Sequence, residues 1–150
     1  MELFEGKVLW KKRSSALQEV DAVEALRGKS IILLYFGHSI CERGMTFLSY
    51  LKDLQKAVKL HKFPVDIVYT STERDRESFK KHFLGDHGDW LCLPCGDEMH
   101  LLLEYRFMVV STPKVVVIEK SGVPITVKGY PEIFSKGINA LRSWMPPDMP

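Results

Sequence analysis

Cysteine is scarce in this sequence, with three in 150 residues. An odd count, together with an N-terminus (Met1-Glu-Leu-Phe-Glu-Gly) lacking the basic and apolar blocks of a signal peptide, argues against a framework of structural disulfides. The expected compartment is a reducing one, cytoplasmic or nuclear. An excess of charge of one sign is also missing. The 21 basic and 19 acidic residues leave a net charge of +2, which gives no electrostatic case for a nucleic-acid partner. The Lys11-Lys12-Arg13 run reads as a solvated strand end rather than an address signal. No apolar run approaches membrane-spanning length, so no membrane partner is expected. Internal repeats and inter-domain linkers are absent. A chain of this length, 45% hydrophobic and 27% charged, suits one domain, 1–150, with a core of its own. The proline-rich tail from about residue 146 is expected to fray.

What is present is an alternation of strands and helices. Leu3 to Trp10 alternates weakly and suggests a strand or hairpin. Val20 to Leu26 is a short helical stretch stopped by Gly28. Ser30 to Phe36 is a continuous apolar run, as in a central strand covered on both faces. From Cys41 to Leu60 the residues Phe47, Leu51, Leu54 and Val58 recur at helical spacing. Val65 to Tyr69 is the next strand. Ser71-Thr72 is placed to cap a helix ending near Leu84, with Phe79 and Phe83 inward. A loop through Gly85, Gly88 and Trp90 leads to Leu91-Cys-Leu-Pro-Cys-Gly, and Asp97 is placed to cap a helix through Phe107. Val115 to Glu119 and Pro124 to Val127 flank the turn signal Ser121-Gly122. Pro131 opens a last helix whose inner face is Phe134, Ile138, Leu141 and Met145. The pattern predicts an α/β fold, a central mixed sheet of about four or five strands with helices on both faces.

The segment Ile31-Ile-Leu-Leu-Tyr-Phe-Gly-His-Ser-Ile-Cys41-Glu-Arg-Gly44 carries the chemistry. A buried strand runs into a turn, and a thiol stands at the start of a helix. The exposed N–H groups and positive dipole end there favour thiolate over thiol. Arg43 and His38 are placed to act in the same direction, with a plain polar turn residue as the alternative for His38, and Glu42 opposes them. A redox site of this geometry usually has a second cysteine three residues on, where this chain has Gly44. Cys41 is therefore either a monothiol nucleophile or a small residue kept at a turn.

Three pieces, in order, give a resemblance. Leu26 to Cys41 resembles the entry to the active site in the nucleoredoxin-like and tryparedoxin-like branch of the thioredoxin superfamily. Gly88-Asp-Trp-Leu-Cys-Leu-Pro94 is similar to that branch's Trp-Leu-x-x-Pro segment. Val110-Ser-Thr-Pro113-Lys-Val-Val-Val-Ile resembles the superfamily's cis-proline loop and the strand after it. The match runs from about Leu3 to Trp144. It implies a thioredoxin-like fold in which Pro113 is cis and packs against Cys41, while Thr112 presents backbone groups to an extended substrate. The implied substrate groove comprises Ile40, Glu42, Arg43, Gly44, Trp90, Thr112 and Pro113, with Cys41 as the catalytic residue and a protein or peptide disulfide or thiol as the partner.

The departures from the pattern bear on function. Cys41-Glu-Arg-Gly44 replaces Cys-x-x-Cys, Ile40 replaces the usual tryptophan, and Tyr35 stands where thioredoxin has a buried acid. No direct disulfide can close at the site. Cys41 can still form a mixed disulfide, to be resolved by an external thiol such as glutathione; no resident cofactor is expected. Cys92-Leu-Pro-Cys95 imitates a redox motif, but no buried strand is expected to run into it. Its cysteines read as apolar packing, with two alternatives: a remote resolving thiol for Cys41, or a metal site with His87 or His100, whose spacing falls short of any strong zinc pattern. Two functions remain open, a monothiol thiol–disulfide oxidoreductase and a redox-inactive module that binds a protein partner through the cis-proline groove.

Overall fold

The structure is a computed structural model that describes residues 3–38, 42–71 and 73–146; the side chains of residues 42–45 also fall outside the description. The elements in chain order are β1 (Val8–Arg13), β2 (Ala16–Asp21), α1 (Ala22–Ala25), β3 (Ile31–Gly37), α2 (Glu42–His61), β4 (Val65–Ser71), α3 (Arg76–Asp86), β5 (Leu91–Cys92), α4 (Met99–Arg106), β6 (Lys114–Glu119), β7 (Pro124–Thr126), α5 (Gly129–Lys136) and α6 (Asn139–Trp144). The strands form one sheet of seven in the order β2-β1-β5-β4-β3-β6-β7. β3 runs parallel to β4 and antiparallel to β6, so the sheet is mixed.

All seven residues of β3 are buried because helices cover both sides of it. On one face Ile31, Leu33 and Tyr35 meet Phe47, Leu51, Leu54 and Val58 of α2, Phe79 and Phe83 of α3, and Ile133, Leu141 and Trp144 of α5 and α6. On the other, Ile32, Leu34 and Phe36 meet Ala22 of α1 and Met99 and Leu103 of α4. The apolar stripe predicted for α2 is thus the buried one.

Several expectations need correction. The sheet has seven strands rather than four or five, because Leu3 to Trp10 contributes only part of a β1–β2 hairpin and Leu91–Cys92 is itself a strand. β5 is two residues long and pairs with both β1 and β4, too short for any alternation to reveal it. β4 continues through Ser71, so α3 begins at Arg76 with Asp75 as its cap, accepting from the Glu77 N–H at 3.2 Å; Thr72 lies outside the described residues. Gly85 is within α3. The last helix is broken at Gly137 (φ +56), and its inner residues are Ile133, Ala140, Leu141 and Trp144; Phe134 and Ile138 are exposed. The break resets the helical phase. Asp97 does cap α4, its Oδ1 accepting from the Met99 N–H at 2.8 Å.

At the C-terminal end of α4, Met108 is held at φ +53, with the Val109 N–H donating to Glu104 O at 2.8 Å. That left-handed position is one that glycine occupies without steric cost. The Met108 side chain is exposed, so it returns little burial energy. Met108→Gly is expected to stabilise dilute protein by about 1 kcal/mol in urea unfolding; a loss of stability would contradict this reading of the turn.

Candidate functional site

The site forms where β3 ends. Register pairs Phe36 of β3 with Lys114 of β6, so Thr112-Pro113, just before Lys114, comes alongside Gly37 at the end of β3. The Thr112–Pro113 peptide is cis, as the resemblance implies. α2 opens at Glu42, the residue that follows Cys41 in the chain. Ile40 and Cys41 themselves lie outside the described residues, as do the side chains of Glu42 and Arg43 and the surroundings of Gly44. His38 is half-buried at the end of β3.

Beneath this end of the sheet is an aromatic cluster. Tyr35 packs against Tyr69 at 5.4 Å, Phe47 at 5.6 Å and His87 at 5.9 Å between ring centroids. A Cβ built on Gly37 would stand 3.1 Å from the Tyr35 hydroxyl and 3.2 Å from Tyr69 Cε1, so both rings reach the edge of the site. His87 lies 4.1 Å from Tyr69, and its Nδ1 accepts from Trp90 Nε1 at 3.1 Å. In the neutral ring the proton is therefore on Nε2. Burial, reinforced by His82 and Lys12, holds the His87 pKa well below the usual histidine range. Burial likewise pushes the Tyr69 hydroxyl up. The sequence marks His87 only as a candidate metal ligand; its spacing of three from Trp90 is the signal for this contact.

Trp90 was expected to line the groove and does not. It is 2% exposed and packs in the core on the α2 face, with its N–H taken by His87. Gly88 makes room for it, since a Cβ there would come within 2.3 Å of Trp90 Cζ3. The second thiol pair is equally internal in character. Cys92 is fully buried on β5, and desolvation pushes its thiol far up. Cys95 is partly exposed, but its Sγ donates to Glu73 O at 3.3 Å, and burial followed by Glu73 raises its pKa as well. Both cysteines are free. The expectation that no buried strand leads into this pair is corrected, because Leu91–Cys92 is a strand of the sheet. Cys92, Cys95, His87 and His100 are not brought together as a ligand set, and among the described residues no three His, Cys, Asp or Glu side chains cluster in a way that could hold a metal ion.

The sequence model of the Thioredoxin-like family matches residues 28–123. The chain belongs to the thioredoxin-like family. Within it, the chain falls in the nucleoredoxin and tryparedoxin branch. It is 30% identical over 155 residues to nucleoredoxin-like protein 1 of Xenopus laevis, covering 95% of this chain and 70% of that one. It is 28% identical to probable nucleoredoxin 1 of Arabidopsis thaliana over 118 residues, but spans only 20% of that longer protein. Among solved structures, thioredoxin from Wuchereria bancrofti superimposes with a TM-score of 0.82 at 25% identity, covering 96% of this chain and 97% of that one. Tryparedoxin II complexed with glutathionylspermidine gives 0.75 at 27% identity, with 89% of each covered.

One further feature of this thioredoxin-like domain differs from expectation. Lys12 is not a solvated strand end. Its Nζ donates to His87 O and, at 3.2 Å, to Leu84 O, so it caps the C-terminal end of α3, and burial lowers its pKa. A cavity of about 430 Å³ opens at the opposite end of the sheet, beside Val65, Asp66 and Lys11, where the two-residue β5 leaves β4 and β1 apart. Asp66 lines the cavity, and its carboxylate accepts from the Ile67 N–H at 2.8 Å. Among the described residues no helix is long and apolar enough to cross a membrane.

His87 gives the domain a pH dependence. Its folded pKa is depressed below the ordinary 6.5, so on acidification the unfolded chain takes up a proton that the folded one refuses. Stability is therefore expected to fall as pH drops below 6.5. His87→Gln, which keeps an acceptor for Trp90, should flatten the fall. Urea unfolding between about pH 7 and pH 5 checks it. An unchanged slope in the variant would assign the dependence to other groups.

Proposed function

We propose that this domain carries out thiol–disulfide exchange by a monothiol route, with Cys41 as nucleophile and a protein or peptide disulfide as substrate. The observation that carries the reading is the β3–β6 register, which brings the cis-proline loop to the strand end from which the chain runs to Cys41 and into α2. A thiolate at the start of a 20-residue helix benefits from the positive end of its dipole. Cys41 attacks one sulfur of the substrate disulfide, forms a mixed disulfide and expels the other sulfur as thiolate. With Gly44 in the resolving position, an external thiol then attacks the mixed disulfide, and a second thiol completes the two-electron reduction. A glutathione-class thiol suits that role, because a relative of this chain is solved with glutathionylspermidine. The extended substrate segment lies along Thr112-Pro113, with Ile40, Glu42 and Arg43 flanking it. A reducing compartment, cytoplasmic or nuclear, fits free cysteines at positions 92 and 95.

The second reading, a redox-inactive module that holds a protein partner in the same groove, is favoured by Gly44 and by Tyr35 in place of a buried acid. Insulin reduction separates the two. The monothiol reading expects weak activity with dithiothreitol, strong dependence on an added monothiol, loss in Cys41→Ser and a gain of about tenfold or more in Gly44→Cys. Activity that survives Cys41→Ser would move the chemistry to Cys92 or Cys95. Absence of any Cys41-dependent activity, in the wild type and in Gly44→Cys alike, would leave the binding module.

A further inference from the structure

α4 and the turn after it carry an apolar face that the other described residues leave uncovered. Leu101 is 51% exposed, Leu102 67%, Tyr105 87% and Met108 78%, while Leu103 and Met99 of the same helix are buried. Monomeric surfaces scatter such residues singly; four large ones on two turns form a contiguous patch. The turn that follows keeps methionine at 108, in the left-handed conformation glycine favours, so an apolar side chain is presented there at a conformational cost.

The charges around the patch indicate what covers it. Glu98 and Arg106 are both exposed, and they stand four residues to either side of Leu102, one turn away on the same face. Arg106 is fixed at its end by a hydrogen bond to Gly122 O at 3.2 Å and by its position over the Phe107 ring, and its guanidinium keeps further donors. Such a row is complementary to itself. When two α4 helices lie antiparallel about a two-fold axis at Leu102, Glu98 of each copy faces Arg106 of the other, twice, and the helix dipoles oppose. The same register sets Tyr105 opposite Met99 of the second copy. Met99 borders a cavity of about 410 Å³, also lined by Leu3, Leu102 and Arg106, which can receive the ring.

We propose that the α4 face is a homodimer interface, with Leu102 on the axis and two reciprocal Glu98–Arg106 pairs at its ends. A single short helix pair buries an area at the low end of specific interfaces, so the dimer is weak and reversible, with Kd on the order of 10–100 µM. The interface lies on the side of the sheet away from α2 and does not depend on the redox reading of Cys41.

Sedimentation equilibrium of the full chain over a range of concentrations tests it, with thiols kept reduced. The wild type should self-associate to a dimer. Leu102→Glu should be monomeric throughout while keeping its circular dichroism and thermal midpoint, since Leu102 is exposed. Glu98→Arg and Arg106→Glu should each weaken the dimer about tenfold, and the double swap should restore it. A wild-type monomer at about 0.5 mM would overturn the proposal. A dimer indifferent to Leu102→Glu would overturn it too, as would a double swap no tighter than the singles.

Discussion

The register of β3 between β4 and β6 is the constraint on which the candidate site depends. β3 contributes Leu33 and Tyr35 to the core on one face and Ile32, Leu34 and Phe36 to the core on the other. A slip by one residue would exchange these sets and push the two tyrosine-bearing strands out of step. The same pairing sets Tyr35 beside Tyr69 and Phe36 beside Lys114. The cis-proline loop and the end of β3 therefore lie side by side because one buried strand has a single way to lie in its sheet.

The cluster under the site is built of rings around Tyr35. Tyr35, Tyr69, His87 and Trp90 pack as rings, and burial keeps both His87 and Tyr69 in their neutral forms. Lys12, a cation that acts on His87, is committed to the carbonyl groups at the end of α3. Such a floor offers aromatic contact and hydrogen bonding in place of a carboxylate that could take or give a proton as the thiol reacts. On the proposed reading, the helix start is what would lower the Cys41 pKa. On the proposed monothiol reading, exchange at such a site would be slow, with a long-lived mixed disulfide.

Much of this was legible in the sequence because it rests on long, regular patterns. The continuous apolar run of β3, the stripe Phe47-Leu51-Leu54-Val58 and the Thr112-Pro113 loop before a valine-rich strand each correspond to an element of the fold. What escaped depends on tertiary contacts. β5 is defined by its two neighbours, so Leu91-Cys92 carries no strand signal of its own. Lys12 belongs to a basic run, yet the end of α3 bends over it. Trp90 occupies a segment that resembles a substrate-facing loop, but Gly88 lets it fold into the core against His87. The last helix lost its predicted face because Gly137 restarts the phase.

The central proposal is that Cys41, the residue that precedes α2 in the chain, reacts as a thiolate. The alkylation rate of Cys41 by iodoacetamide against pH tests it most directly, with Cys41→Ser reporting the background from Cys92 and Cys95. The account predicts a Cys41 pKa well below the model thiol value of about 8.5. A pKa at or above that value, matching the unfolded chain, would contradict it.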